Sequence, residues 1–306
     1  MPARYRNPIL AIVALGGVAL TVLNHLSTPD ATASPPPRVL IAHTAQPGAA
    51  TTVADREPLT ASGVADAERL ADRFGSIEKL AARDPWAVAR LGQERYDRDI
   101  REYTCVFVKR ERIDGKLRDV EEIEVRYRDE PKTVFMIWKR NAQQAKRVLF
   151  KDTPEYVNDK GEKVAHVEPA GALIRLIVSD VLMPIHGKRA HQSSRRFIDQ
   201  FGFRSTLDLL DRYNQLGADC GALEYSYDGA GEIDGRPTYR FIRYLPYNGP
   251  DGIWPDAKMV MHLDQEWLLP TAVFSYADRE GAVLLGSYVH TKIRLNPGLD
   301  DAAFEF

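Results

Sequence analysis

From Tyr103 onwards the sequence is divided into short β-prone segments separated by turn signals. Asp114-Gly115 and residues 278–281 have the composition of tight turns between antiparallel strands. Such a pattern restricts the chain to folds built on sequential hairpins, and we predict an α+β fold with one strongly curved antiparallel sheet of about eight or nine strands. The segments that predict strands are TCVFV, EEIEVRY, TVFMIWK, RVLF, LEYSYDG, PTYRFIRYL, KMVMHLD, LLPTAVFSYAD and VLLGSYVHTKIRLN.

Helical patterns precede the sheet and interrupt it once. Asp84 followed by Pro85 predicts the start of a helix, because Asp caps the free N–H groups and Pro suits the first helical position. A further helix is predicted around residues 205–213, inserted between strands. Apolar residues also recur at helical spacing ahead of Asp84, at Leu70, Phe74, Ile77 and Ala81.

The N-terminus has the pattern of an export signal. Residues 9–23 form an apolar run of 15 residues, and Ala33 completes an A-x-A cleavage pattern. The run is shorter than the about 20 apolar residues of a spanning helix. We predict that residues 1–26 are a signal peptide or, alternatively, an N-terminal membrane anchor. The protein is therefore expected in the periplasm or cell envelope, with residues 9–26 as its attachment to the inner membrane if they are retained.

Two regions of different composition follow this leader. Residues 27–62 are rich in Pro, Ala, Ser and Thr, too poor in apolar residues to build a core, and predict a disordered linker. Residues 63–306 predict a single α+β domain, with a helical lead-in over residues 63–101 and the sheet over residues 103–306.

Several predicted strands are apolar on both faces. Ile123, Val125 and Tyr127 alternate with charged residues, which is typical of a strand with one buried and one solvated face. The next strand has Phe135 and Ile137 on one face and Met136 and Trp138 on the other. A second apolar face requires a cover, either helices that fill the concavity as ordinary core or a ligand. The candidate ligand-lining residues are Phe135, Ile137, Trp138, Tyr239, Phe241, Phe274 and Tyr276.

The sequence has two cysteines, Cys105 and Cys220. In an oxidising compartment they are candidates for one disulfide that closes a long loop. The alternative is two free thiols, each behaving as a small apolar residue.

No catalytic or metal-binding signature stands out. The net charge of −2 argues against a nucleic-acid partner, and no cofactor or metal is expected. His186 and His191 lack nearby ligands at a metal-binding spacing, and His262 with Asp264 lacks a nucleophile. The mixed charges at residues 109–112 are interpreted as a strand end that emerges into solvent. The carboxylates around residues 121–124 are likewise interpreted as a solvated strand face.

Three stretches resemble a known group of proteins. They are YTCVFVKRERIDGKL, the P-x-x-V-F-M-x-W of residues 131–138, and the closing segment that starts at LDQEWLLP. Over roughly residues 83–306 the chain resembles an uncharacterised exported bacterial family known as a domain of unknown function. The end segment is also similar to periplasmic lipoprotein carriers of the Lol type and to a related sensor of periplasmic stress. The matching positions are Leu263, Asp264, Leu269, Pro270, Asn296, Gly298, Leu299, Asp301 and Phe304.

The resemblance implies an unclosed β-barrel with helices over an apolar cavity that hosts acyl chains. The expected function is then a non-enzymatic envelope protein that binds a lipid, an acyl chain or a lipoprotein segment. An alternative of a different class is an interaction or sensor module that binds a peptide or protein at the sheet edge. An enzyme of unrecognised type is the third hypothesis.

Overall fold

The computed structural model describes residues 75–171 and 180–306, except for the side chain of His191. All of these residues belong to one compact unit. The predicted leader, its cleavage position at Ala33, the linker and the lead-in up to residue 74 lie outside the described residues. No helix in the described part of the chain is long and apolar enough to cross a membrane.

Two helices precede the sheet. Helix α1 (Ile77–Arg83) starts at Ser76, whose hydroxyl accepts a hydrogen bond from the N–H of Lys79. Helix α2 (Pro85–Asp99) starts at Asp84, whose carboxylate accepts from the N–H of Ala87 at 3.1 Å. The Asp84-Pro85 prediction is therefore confirmed: the carboxylate satisfies an amide that the first turn leaves unpaired.

The described residues form an antiparallel sheet of twelve strands, and this confirms the predicted fold class. The spatial order is β7-β6-β5-β4-β3-β1-β12-β11-β10-β9-β8, and the short β2 pairs with β1 alone. The two end strands, β7 and β8, are not paired with each other, so the sheet is unclosed. The strands are β1 (Glu102–Ile113), β2 (Lys116–Leu117), β3 (Glu121–Arg128), β4 (Thr133–Arg140), β5 (Ala145–Lys151), β6 (Val164–Pro169), β7 (Val181–Pro184), β8 (Glu224–Ile233), β9 (Arg236–Tyr244), β10 (Lys258–Asp264), β11 (Pro270–Tyr276) and β12 (Leu284–Leu295).

The sheet has more strands than the sequence predicts. Strand β2 has two residues, and β6 and β7 are short strands that each end in a proline. Neither length nor alternation marks such segments as strands, because their pairing depends on neighbours that are already in place.

A helical insertion lies between β7 and β8. It contains α3 (Lys188–Ser193) and α4 (Phe203–Asp219), and α4 includes the helix predicted around residues 205–213. Short 3₁₀ turns occur at Pro154–Tyr156, Ile198–Gln200 and Asp301–Phe304.

The two faces of the sheet carry separate apolar clusters. The inner face is the one that packs against α2 and α4. Over β8–β11 it joins both helices in one cluster, which includes Leu91, Leu207, Phe241 and Met261. On β1 and β3–β6 it forms a second cluster around Tyr103, reached from α2 only by Tyr96 and from α4 only by Phe203. The outer face carries two small clusters beneath the chain end and between β8 and β12.

Candidate functional site

An apolar surface lies on the inner face of β4–β6. Val125 pairs with Met136, Met136 with Val148, and Val148 with Val167, so these residues share one face across neighbouring strands. Trp138 extends the same face along β4. Val148, Val167 and Trp138 are only partly buried. We define Met136, Trp138, Val148 and Val167 as the apolar wall.

An irregular segment, and not a long helix, lies over this part of the sheet. Residues 185–202, which we define as the covering segment, contribute Ile185, Ile198 and Phe201 to the apolar cluster that includes the wall. The ring of Phe201 lies edge-on to Phe107 of β1, with 5.2 Å between ring centroids. The covering segment therefore rests on the inner face through a few side chains.

The end of the covering segment is held close to β3. Gly202 has a φ of +124°, and a Cβ there would lie 3.0 Å from the ring of Tyr127. Both the conformation and the close approach call for glycine. His186 and the carboxylate of Asp199 are 2.8 Å apart, and Lys132 donates to the carbonyl of Asp199 at 2.5 Å. Lys132 and Tyr127 therefore hold the last residues of the covering segment against the sheet, and the His186–Asp199 contact ties its two ends to each other.

Charged side chains are buried at the other end of the wall. The Lys109 Nζ lies 3.2 Å from Glu111 Oε2 and 3.6 Å from Glu121 Oε2. Trp138 of the wall donates from Nε1 to Glu121 Oε2 at 2.5 Å. We define Lys109, Glu111 and Glu121 as the charged cluster. It carries two carboxylates for one ammonium.

Glu111 joins the sheet to the covering segment. Its carboxylate accepts hydrogen bonds from the Tyr288 hydroxyl at 2.8 Å, the Ser194 hydroxyl at 3.1 Å and the Arg195 N–H at 3.2 Å. Only 3% of the residue is exposed. Because a buried carboxylate is costly unless it is paired and hydrogen-bonded, these donors hold the covering segment in place.

Burial and charge set the protonation of this region. Burial lowers the pKa of Lys109, but Glu111 and Glu121 outweigh it and hold the pKa above its usual range. Burial, followed by the charge of Glu111, raises the pKa of Tyr288. At neutral pH the lysine is therefore a cation and the tyrosine a neutral donor, so neither is a nucleophile.

A buried histidine lies beside the charged cluster. His290 is two residues from Tyr288 on β12 and packs against the rings of Phe107, Phe201 and Phe203. Neither ring nitrogen has a hydrogen-bond partner among the described residues. Burial lowers the pKa of His290 to about 4, and the nearby backbone of Thr271 opposes this only in part. The imidazole is neutral at physiological pH.

The prediction that the charges at residues 109–112 and 121–124 are all solvated is wrong. Lys109 and Glu111 do not emerge into solvent but are buried, and Glu121 faces inwards while Glu124 faces outwards. On β1 every second residue from Tyr103 onwards is buried, and this alternation continues through Lys109 and Glu111. The signal that identifies them is therefore the period of two itself, extended from the apolar into the charged half of the strand.

The seven proposed ligand-lining residues do not form one surface. Trp138 lies on the wall, and Tyr239 and Phe241 lie on the inner face beneath the helices. Phe135 and Ile137 face outwards and pack against Phe304. Phe274 packs in the outer cluster with Val108, and Tyr276 lies on the same outer face at the end of β11. Sequence alternation separates the two faces of a strand, but it does not state which face is inner.

The other candidate groups have structural partners. The Nδ1 of His262 lies 2.9 Å from the Thr238 hydroxyl, and Asp264 binds Arg236 at 2.6 Å. Within residues 75–171 and 180–306 no group of three or more His, Cys, Asp or Glu side chains is placed to hold a metal ion. Cys105 is buried on β1 and Cys220 is exposed at the end of α4, and both thiols are free.

Two surface depressions lie away from the wall. One, of about 570 Å³, is lined by Leu245, Tyr247 and Arg279, and the other, of about 390 Å³, by Arg101 and Arg128. Neither includes a residue of the wall or of the covering segment.

Comparison with sequence families identifies the family to which the chain belongs. The family described as "Protein of unknown function (DUF1571)" matches residues 100–306. The chain belongs to this family. The match spans every described strand and the helical insertion, and it confirms the resemblance to an uncharacterised family. No curated protein matches the chain at a significant level.

Solved structures with a similar fold are distant in sequence. MucB in the Pseudomonas aeruginosa MucA/MucB complex is 14% identical with a TM-score of 0.42, and the match covers 72% of this chain and 60% of that one. Lipoprotein LppX of Mycobacterium tuberculosis is 14% identical with a TM-score of 0.40, over 71% and 98% of the two chains. A LolA superfamily protein from Nitrosomonas europaea is 11% identical with a TM-score of 0.31, over 71% and 97%.

Proposed function

We propose that this protein is a non-enzymatic binding protein for an amphiphile, whose acyl chain lies on the apolar wall in place of the covering segment. The observation that carries the proposal is the unequal cover of the inner face. Helices α2 and α4 cover β8–β11, whereas a segment anchored by a few contacts lies over the wall. A partly exposed apolar surface under a displaceable cover is suited to a ligand with an apolar chain.

The energetics are adequate for such a ligand. Burial of one methylene group contributes about 0.8 kcal/mol, so a chain of about twelve carbons gains roughly 10 kcal/mol before the costs of binding are deducted. Displacement of the covering segment removes the contacts of Phe201 and the hydrogen bonds of Ser194 and Arg195. A small set of contacts is therefore exchanged for a larger apolar area.

We further propose that the domain works in the cell envelope. The apolar run of residues 9–23 supports export, and residues 27–62 have the composition of a tether between a leader and the domain. If residues 9–26 are retained, the tether holds the domain near the inner membrane. Removal of residues 1–62 is expected to leave a soluble, cooperatively folded domain, and loss of folding would refute the assignment of the linker.

Native mass spectrometry tests the binding proposal. The full chain, purified from the envelope of its own host, is expected to carry a lipid adduct. Val148→Lys places a charge on the wall and should abolish the adduct, while Leu182→Lys on β7 should retain it. A ligand-free mass in every preparation of the wild-type protein would sink the proposal.

A second candidate function is binding of an extended apolar peptide at β7. Leu182 on this end strand is 55% exposed, and β7 has one strand neighbour among the described residues. The opposite end strand, β8, has a bulge between Tyr227 and Ala230 and carries acidic residues, which discourage pairing. For this function Leu182→Lys abolishes binding of a peptide partner and Val148→Lys does not, which is the reverse of the lipid case.

A further inference from the structure

The covering segment supplies hydrogen-bond donors that a ligand must replace. The Glu111 carboxylate accepts from the Ser194 hydroxyl and the Arg195 N–H, and both donors leave when the segment is displaced. Lys109 and Tyr288 remain on the sheet. In the closed structure only 3% of Glu111 is exposed, so once the segment is displaced its carboxylate must take its missing donors from water or from the polar end of a ligand.

The charge balance at this position favours a cation. The charged cluster holds the carboxylates of Glu111 and Glu121 against the single ammonium of Lys109. The indole of Trp138 lies at the same place, with its N–H donated to Glu121. Opening of the covering segment removes the N–H of Arg195 from Glu111 and leaves the two carboxylates with the single ammonium of Lys109.

A second, independent observation points to a ligand at the same place. His290 is 6% exposed, and its two ring nitrogens have no hydrogen-bond partner in the described part of the chain. Two residues along a strand are roughly 6–7 Å apart and share a face, so His290 lies one side-chain position from Tyr288. Its ring packs against Phe201 of the covering segment. Displacement of this segment exposes the acceptor nitrogen of a neutral imidazole to the incoming ligand.

We infer that the polar end of the ligand is a primary amine, protonated at neutral pH, which replaces Ser194 and Arg195 on the Glu111 carboxylate while the apolar chain lies on the wall. This inference rests on the proposed function and adds the chemical class of the ligand. An ammonium supplies three donors, which is enough to replace the two that Glu111 loses with Ser194 and Arg195. An anionic or purely accepting head group leaves Glu111 short of donors.

Binding of three twelve-carbon amphiphiles to the full chain tests the inference. Dodecylamine, dodecanoic acid and dodecyl maltoside are titrated below their micelle concentrations, and heat and tryptophan fluorescence are recorded. Dodecylamine is expected to bind at least about tenfold more tightly than dodecanoic acid, which corresponds to about 1.4 kcal/mol. This comparison requires no variant, so it stands even if a substitution impairs folding.

Three variants locate the effect. Glu111→Gln should remove the preference for the amine, while Glu124→Gln on the outer face of the same sheet should retain it. Ser194→Ala removes one donor of the covering segment and should tighten amine binding severalfold. Equal or reversed affinities of amine and carboxylate overturn this inference and leave the proposed function intact. If none of the three amphiphiles binds, both are overturned.

Discussion

The two halves of the inner face differ in what covers them. Over β8–β11, two long helices place Leu91, Leu207 and Leu210 against the sheet, and the cluster is continuous. Over β3–β6, the cover is mainly residues 185–202, held through Phe201 and through a buried carboxylate. A helix buries a regular stripe of side chains and is stabilised along its whole length, whereas an irregular segment depends on a few anchors. The first half is packed continuously, and the second is the half that opens in the proposed function.

The largest expected effect is in the helix-covered half. Phe241→Ala removes a fully buried ring from the cluster with α2 and α4 and should lower the free energy of unfolding by about 3–5 kcal/mol. Val167→Ala, on the partly buried wall, should lower it by only about 1 kcal/mol. Chemical denaturation measures both. Equal losses would mean that the two halves are equally packed.

The charged cluster gives the next effect. Lys109→Met leaves Glu111 and Glu121 buried without their cation and should cost about 3 kcal/mol in the same denaturation experiment. Lys139→Met provides a matched control, because Lys139 pairs with Glu124 on the solvated face with both side chains almost half exposed. Its expected loss is below about 1 kcal/mol. A small loss for Lys109→Met would show that the cluster is solvated.

Acid should destabilise the region around His290. Its folded-state pKa of about 4 lies below the ordinary value of 6.5, so the unfolded chain binds the proton first. The contribution to stability is complete above about pH 6.5 and is lost as the pH falls towards 4, by about 3 kcal/mol in total. His290→Phe should flatten this part of the stability profile measured by urea unfolding from pH 7 to pH 4. An unchanged profile would assign the acid sensitivity to other groups.

The smallest effect concerns thiol reactivity. The reactivity of Cys105 distinguishes a closed covering segment from a displaced one. Cys220 is exposed, whereas burial of Cys105 on β1 raises the pKa of its thiol, so alkylation should modify Cys220 first. Mass spectrometry after alkylation without reductant should show one modification. A ligand that displaces residues 185–202 should speed the second. Two unmodified cysteines that react only after reduction would instead indicate the disulfide.

Much of the fold follows from local sequence. Asp84 and Pro85 set the start of α2 because capping is decided within four residues. The turn at Asp114-Gly115 follows from two residues with positive φ, which this pair tolerates. The short strands β6 and β7 do not follow, because β6 is held by its pairing with β5 and β7 by its pairing with β6.

Only part of the candidate site can be predicted from the sequence. Trp138 was identified by its place in an apolar strand, and it lies on the wall. Phe135 and Phe274 have the same local pattern but face outwards. The sequence predicts that Lys109 and Glu111 are solvated, because a charged residue at a strand end is usually exposed.

The strand alternation, the turns and the helix starts follow from the amino-acid sequence, since each depends on neighbours along the chain. Which face of each strand is inner, and what covers that face, depends on tertiary contacts. A period of two assigns side chains to two faces without ranking them. That ranking comes from residues distant in sequence: α2 and α4 over one half, and residues 185–202 with their bond to Glu111 over the other.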